Sequence, residues 1–261
     1  MPFTYAHYRF GTALLHTMPG DVTRTIQRFR GMYDVGLHGP DIFSFSSPLF
    51  RNSIRNLCIK YHELTGREFF PRACRCVRLE KSEAAAAYLY GVLCHYCLDS
   101  ILHPIIANNA KELGIPQIEI EVEFDRFLLE LDGRIPAHSQ DLSPHLRLTP
   151  GQSDTIAKLY PPATGKNVLD SIKQMARMTK LLAAPEGPRR ALLEKSYSLL
   201  GKEFKGIVMH TAPNSKCCEL NEVLFRQYEE AMGQFQKMLP QLQAHMTYSA
   251  PFEAEFEPIF G

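Results

Sequence analysis

Between Ala84 and Pro104 the chain reads AAAAYLYGVLCHYCLDSILHP, apolar almost throughout except at His95, Asp99 and His103. A step of four residues turns about 400° on an α-helix, so polar groups spaced by four form one slowly drifting stripe along a single face. A carboxylate and two imidazoles buried in an apolar helix are unfavourable unless something compensates them. Two compensations are open. One is a metal ion shared by oxygen and nitrogen donors. The other is a histidine–aspartate pair satisfied by hydrogen bonds to itself and to neighbouring carbonyls, the ordinary fate of buried polar groups. Three such residues in register weigh towards the metal.

Residues of the same chemistry recur elsewhere in the first half. His7 lies amid aromatic and small residues, and Asp41 follows the glycine- and proline-punctuated GLHGP, where its ordinary role is that of a turn residue or N-cap. His62 falls in an amphipathic stretch, where a lone histidine is usually a plain surface or core residue. Gln117, Glu121 and Asp125 repeat the four-residue stripe, with a solvated acidic face as the commoner alternative. Cys94 and Cys97 form a CxxC and Cys74 and Cys76 a CxC, but a CxxC inside a helix without a second pair in zinc-ribbon spacing reads as packing.

The elements that must position these groups are helical. Helical periodicity predicts Thr4 to Leu15 and Val22 to Tyr33, then a loop over Gly36 to Asp41. Asn52 to Cys76 is helical in period apart from Gly66 and a stop at Pro71. The central helix starts over Glu80 to Ala87 with Ser82 as N-cap, and Pro104 places His103 at its C-terminal end. Gln117 to Asp125 alternates like a strand, but the Glu- and Leu-rich continuation to Leu131 makes the whole segment helix. A connection of that length returns Glu121 towards His103 on an antiparallel neighbour. Asp132 to Lys166 reads as a long loop of the kind that forms lids or binding loops. Helices follow at Asn167 to Ala183, Pro188 to about Phe204 and Glu219 to about Leu239. The tail, 250–261, carries Phe252, Phe256 and Phe260 among acids, as a segment laid against the body near the site. Strand signals are sparse, so the expected class is all-α, a multi-helix bundle in one domain over 1–261, with the ligand motifs in 1–131.

Composition bounds the partners. Twenty-nine lysines and arginines against 28 acids give no electrostatic footprint for nucleic acid. No basic leader precedes an apolar run, and no stretch offers eighteen uninterrupted apolar residues, so the expectation is a soluble, unexported protein without an integral membrane segment. Seven cysteines, an odd number without a framework spacing, suit a cytoplasmic location.

Taken together, His7, Asp41, His62, His95, Asp99, His103 and Glu121 form a set that resembles the zinc-dependent phospholipase C family, which includes the clostridial alpha-toxin catalytic domain and shares its fold with the S1/P1 nucleases. The pieces that carry the resemblance are YAHYRFG, GLHGPDIF, YHELTGREFF, GVLCHYCLDSILHP and IEIEVEFDRF, roughly the first half of the chain. The resemblance implies an α-helical domain around two or three zinc ions. Asp41, His62, His95 and Asp99 would surround one; Asp99 would bridge to a second with His7; His103 and Glu121 would hold a third. Gln117 stands where the family usually supplies a second histidine and so is a degenerate ligand candidate. Met1-Pro2 stands where secreted members expose a tryptophan whose amine and carbonyl bind zinc. The β-sandwich that docks the toxin on membranes has no counterpart, since residues after Asn167 read as helices.

Imidazole and carboxylate donors without thiolate describe a catalytic zinc site. The implied activity is hydrolysis of phosphoric esters, with a phosphodiester or phospholipid-like substrate, a metal-activated water and Asp41 as general base. Two alternatives stand beside it: a non-enzymatic protein whose degenerate metal site only staples the helices, and a P1-type nuclease, which needs a base-stacking platform and a basic groove.

Overall fold

The computed structural model describes residues 4–46, 52–201 and 204–261. The class is all-α: among the described residues there is no strand, and the pairing of Thr65 with Ile259 is an isolated bridge. In chain order the helices are α1 (Thr4–Leu14), α2 (Gly20–Arg28), α3 (Arg30–Gly36), α4 (Asn56–His62), α5 (Gly66–Glu80) and α6 (Glu83–Leu113). After them come α7 (Gln117–Leu131), α8 (Pro150–Ala157), α9 (Gly165–Leu182), α10 (Pro188–Leu200) and α11 (Cys218–Tyr248). A 3-10 segment, Gly39–Phe45, sits between α3 and α4.

Helix α6 is the axis of the fold. Every residue from Ala87 to Asp99 is buried, as expected of a helix that is apolar on all sides. By length and composition α6 could cross a membrane, yet 72% of its most apolar window lies inside the fold, packed by α1, α2, α3, α5, α7 and α11. It starts where expected, with the Ser82 hydroxyl accepting from the Ala85 amide at 3.1 Å. It does not stop at Pro104. The helix continues to Leu113 and ends on Gly114, whose φ of 65° supplies the left-handed cap. Pro104 forfeits one intrahelical bond, a cost of about 3 kcal/mol or more. Burial of Leu102 and Ile106 on either side returns about 1.5–3 kcal/mol each, and so the helix runs through.

Pro71 likewise lies inside α5 rather than ending it. There the reciprocal bonds between Thr65 and Glu68 fix the first turn, and Phe69, Phe70, Ala73, Cys74 and Val77 bury one face. Where one helical period runs from Val22 to Tyr33, the backbone breaks at Phe29 (φ −123°, ψ 42°) into α2 and α3. This lets α3 lie across α6 with Gly36 against Gly91: a Cβ on either would run into the backbone of the opposing helix. The expected long loop also contains α8, opened by a Thr149–Gln152 capping box.

The tail is held by its aromatic residues. Phe252, Phe256 and Phe260 are buried, with ring centroids 6.2, 5.2 and 5.9 Å from that of Phe70. Beyond them the Phe260 amide donates to the Leu64 carbonyl at 3.1 Å and the Gly261 amide to the His62 carbonyl at 3.4 Å. The aromatic segment therefore ends beside α4 and the middle of α6. Lys202 and Glu203, at the end of the expected Pro188–Phe204 helix, lie outside the described residues.

Candidate metal centre

Asp99 is the centre of the site. It is fully buried on α6, and four imidazole Nε2 atoms surround its carboxylate. His7 of α1 lies 3.1 Å from Oδ1, His95 one turn earlier 3.2 Å from Oδ2, His103 one turn later 3.5 Å from Oδ1, and His62 of α4 3.8 Å from Oδ2. His62 also lies 3.2 Å from Oδ1 of Asp41, which is buried in the 3-10 segment rather than placed at an open bend. Donor atoms of His7, Asp41, His95 and Asp99 all lie within 4.8 Å of one another, and so do those of Asp41, Cys58 and His62. Relative to the implied grouping, His7 joins Asp41 and His95, while His62 shares a cluster with Asp41 and a cysteine.

Local structure explains how these groups converge. Asp125 of α7 accepts the first amides of α1, Tyr5 N at 3.1 Å and Ala6 N at 2.8 Å, a carboxylate placed on a helix N-terminus where four amides lack partners. That bond fixes the turn carrying His7. His62 is oriented from behind: its Nδ1 donates to the Cys58 carbonyl at 2.7 Å, which leaves Nε2 towards the carboxylates. Gly39, at φ 47°, lets the 3-10 segment pass against the His95 ring, where a Cβ would collide.

The donors fit a metal. Neither ring nitrogen of His95 and neither oxygen of Asp99 makes a hydrogen bond, although His95 Nε2 approaches Oδ2 to 3.2 Å. The atoms are close but aimed past one another, as ligands converging on a common point are. In the neutral ring His62 Nε2 has only a lone pair to present to Asp41, so either a proton or a cation must lie between them. Burial pushes His95 down to about 3 despite the neighbouring Asp99, keeping it neutral, as ligation requires. Burial works to lower His7 and His62 as well. The Asp99 carboxylate outweighs it for His7, and the Asp41 and Asp99 carboxylates outweigh it for His62, so both pKa values rise. Burial works to raise the two carboxyls, yet His62 and His95 hold Asp41, and His103, His95 and His7 hold Asp99, well below the usual range.

Of the remaining expected donors, Glu121 is buried on α7 and outside both clusters, and Gln117 is exposed on the first turn of that helix. Met1 and Pro2 lie outside the described residues. The acidic edge of α7 is not a solvated face: Glu119, Glu121, Glu123 and Asp125 are all buried. Glu119 and Glu123 accept from the side chain and amide of Asn214 at 2.7 and 2.9 Å. Sequence reasoning passed over Cys58, whose Sγ lies 3.6 Å from both Asp41 Oδ1 and His62 Nδ1. Its signal was the four-residue spacing to His62. It also passed over the pairing of buried His38 with His145 from the long loop, Nε2 to Nε2 at 2.8 Å.

Comparison with curated proteins and with solved structures returns no match. A family model described as zinc dependent phospholipase C matches residues 6–152, more than half of the chain, and takes in each of the seven donors described above. With that match set beside the buried histidine–aspartate centre, the chain belongs to the zinc-dependent phospholipase C family.

Proposed function

We propose that the protein hydrolyses phosphodiesters in a phospholipase C-type reaction at a zinc centre held by His7, Asp41, His62, His95 and Asp99, with His103 and Glu121 at its flank. The observation that carries this reading is the Asp99 carboxylate, fully buried, with four imidazole Nε2 atoms within 3.8 Å and no hydrogen bond of its own. When bound, zinc supplies a Lewis acid for phosphoryl oxygens and an acidified water as nucleophile near neutral pH. The chain supplies position and proton transfer. Asp41, ionised and at the more open side of the cluster, accepts the proton of the attacking water as general base. Asp99 shares its two oxygens between the His7 and His62 sides and so sets their spacing. The Cys58 carbonyl holds the His62 tautomer, and Asp125 holds α1, and with it His7, in register. The nitrogen and oxygen donors support a catalytic rather than a structural site. The seven cysteines are free thiols, which supports a reducing, cytoplasmic setting.

The test is metal analysis of protein purified without chelators, together with hydrolysis of a chromogenic phosphodiester. At least one equivalent of zinc and zinc-dependent turnover are expected. Tight zinc with a raised Tm and no turnover of any phosphoester replaces this reading with a metal staple; less than one equivalent and no hydrolysis overturns it.

A further inference from the structure

An apolar cavity of about 750 Å3 lies where α1, the 3-10 segment and α7, which carry His7, Asp41 and Glu121, meet α9 and α10, within the ~300–1,000 Å3 range of small-molecule sites. Ile118 and Val122 of α7, Phe45 of the 3-10 segment, Met178 and Leu182 of α9 and Leu193 of α10 supply much of its wall. Three elements that carry donors each send a second residue into it. Thr4 lies three residues before His7 on α1, Ser44 three after Asp41 on the 3-10 segment, and Asp125 four after Glu121 on α7. Residues three or four apart share a helix face, and in a 3-10 turn they eclipse. The cavity wall therefore reaches α1, the 3-10 segment and α7 about one turn along each from His7, Asp41 and Glu121. Among the described residues Arg55, three residues before Cys58, is the cationic side chain on its wall, and no ion pair of it appears there. The far walls, α9 and α10, lie beyond the 6–152 region that defines the family.

We infer that this cavity seats the single alkyl chain of a phosphodiester lipid, a lysophospholipid-class substrate taken up as a monomer, with its phosphate at Arg55 and the metal donors. The inference rests on the phosphodiesterase reading and adds to it the part of the substrate that the metal centre does not touch. A guanidinium on the wall matches a phosphate, and the apolar wall matches hydrocarbon. The volume lies in the range of a site for one small ligand, the size class of a single-chain lipid.

The test is calorimetric binding of hexyl-, octyl- and decylphosphocholine to zinc-loaded protein, each below its micelle concentration. Each buried methylene tightens binding by a factor of ~4, so each pair is expected to lower Kd by ~15-fold. Leu193→Trp and Ser196→Trp each put an indole into the cavity from α10, away from the donors, and are expected to flatten this dependence at unchanged zinc content. A Kd independent of chain length in the wild type overturns the inference, and so does an unchanged dependence in both folded variants. Hydrolysis of a chainless chromogenic phosphodiester reports on the metal centre alone: its absence with the chain-length dependence intact defeats the phosphodiesterase reading and leaves the chain site standing.

Discussion

Asp99→Asn removes one negative charge from the centre of the site and almost no volume. In the wild type the carboxylate has no exposure and faces four imidazoles within 3.8 Å. Two separate losses follow. Without metal, removing the carboxylate leaves His7 and His62 short of their counter-charge, and breaking a buried ion pair of this kind costs about 3–5 kcal/mol. With metal, zinc at a hundredfold excess over Kd stabilises the fold by about 2.7 kcal/mol, worth ~5–11 °C at ~2–4 °C per kcal/mol. Thermal denaturation of wild type and variant, each with excess zinc and with a chelator, separates the two. The wild type is expected to lose that margin on chelation. The variant is expected to be less stable in both conditions and indifferent to the chelator, with its zinc content and phosphodiester hydrolysis both lost. An Asp99→Asn protein that keeps wild-type zinc content, or a wild type whose Tm ignores the chelator, would refute the argument that Asp99 organises a metal site.

Three further substitutions test the supports. Gly39→Ala places a methyl against the His95 ring at a φ of 47°; left-handed backbone alone costs about 1–2 kcal/mol, and a lower Tm with weakened zinc binding by calorimetry is expected. Asp125→Ala leaves the Tyr5 and Ala6 amides without their acceptor, at about 0.5–2 kcal/mol for a lost cap, and should weaken zinc binding through His7 although Asp125 belongs to neither donor cluster. His145 is pushed down to about 4, by burial and then by Arg30, and bonds to His38, itself lowered by burial and by His145. A histidine with a depressed folded pKa favours unfolding once protonated, so its contribution is complete above about 6.5 and is lost as pH falls towards about 4, ~3 kcal/mol in all. His145→Phe is expected to flatten the denaturant-measured stability across that window; an unchanged slope counts against a buried neutral pair.

The site was legible to the extent that helical spacing carried it. His95, Asp99 and His103 could be placed on one face because four residues on a helix return to nearly the same direction, and that geometry holds whatever surrounds the helix. Ser82 was readable as a cap for the same local reason. The errors came from giving local signals the last word. Pro104 and Pro71 are poor helix residues, yet the apolar residues on either side of each are buried by other elements, a fact that spacing along the chain does not contain. The solvated face that stood as the alternative for the acidic run on α7 could not be set aside from spacing alone, because its partner Asn214 is some 90 residues away. His38 could not be paired with His145 across 107 positions, nor could Asp125 be matched to the amides of α1. Cys58 was the one miss with a local signal, masked by the more conspicuous CxxC.

The aromatic strap gives the centre an order of assembly. Every donor, through Glu121, has been synthesised before α7 ends, but the amides that close onto Leu64 and His62 belong to Phe260 and Gly261. At ~5–20 residues per second, translation takes ~7–28 s to cover the interval. A nascent chain therefore displays its histidines and carboxylates for many seconds before the strap can cover them. The donors can thus meet a metal ion before Phe260 and Gly261 are in place against Leu64 and His62.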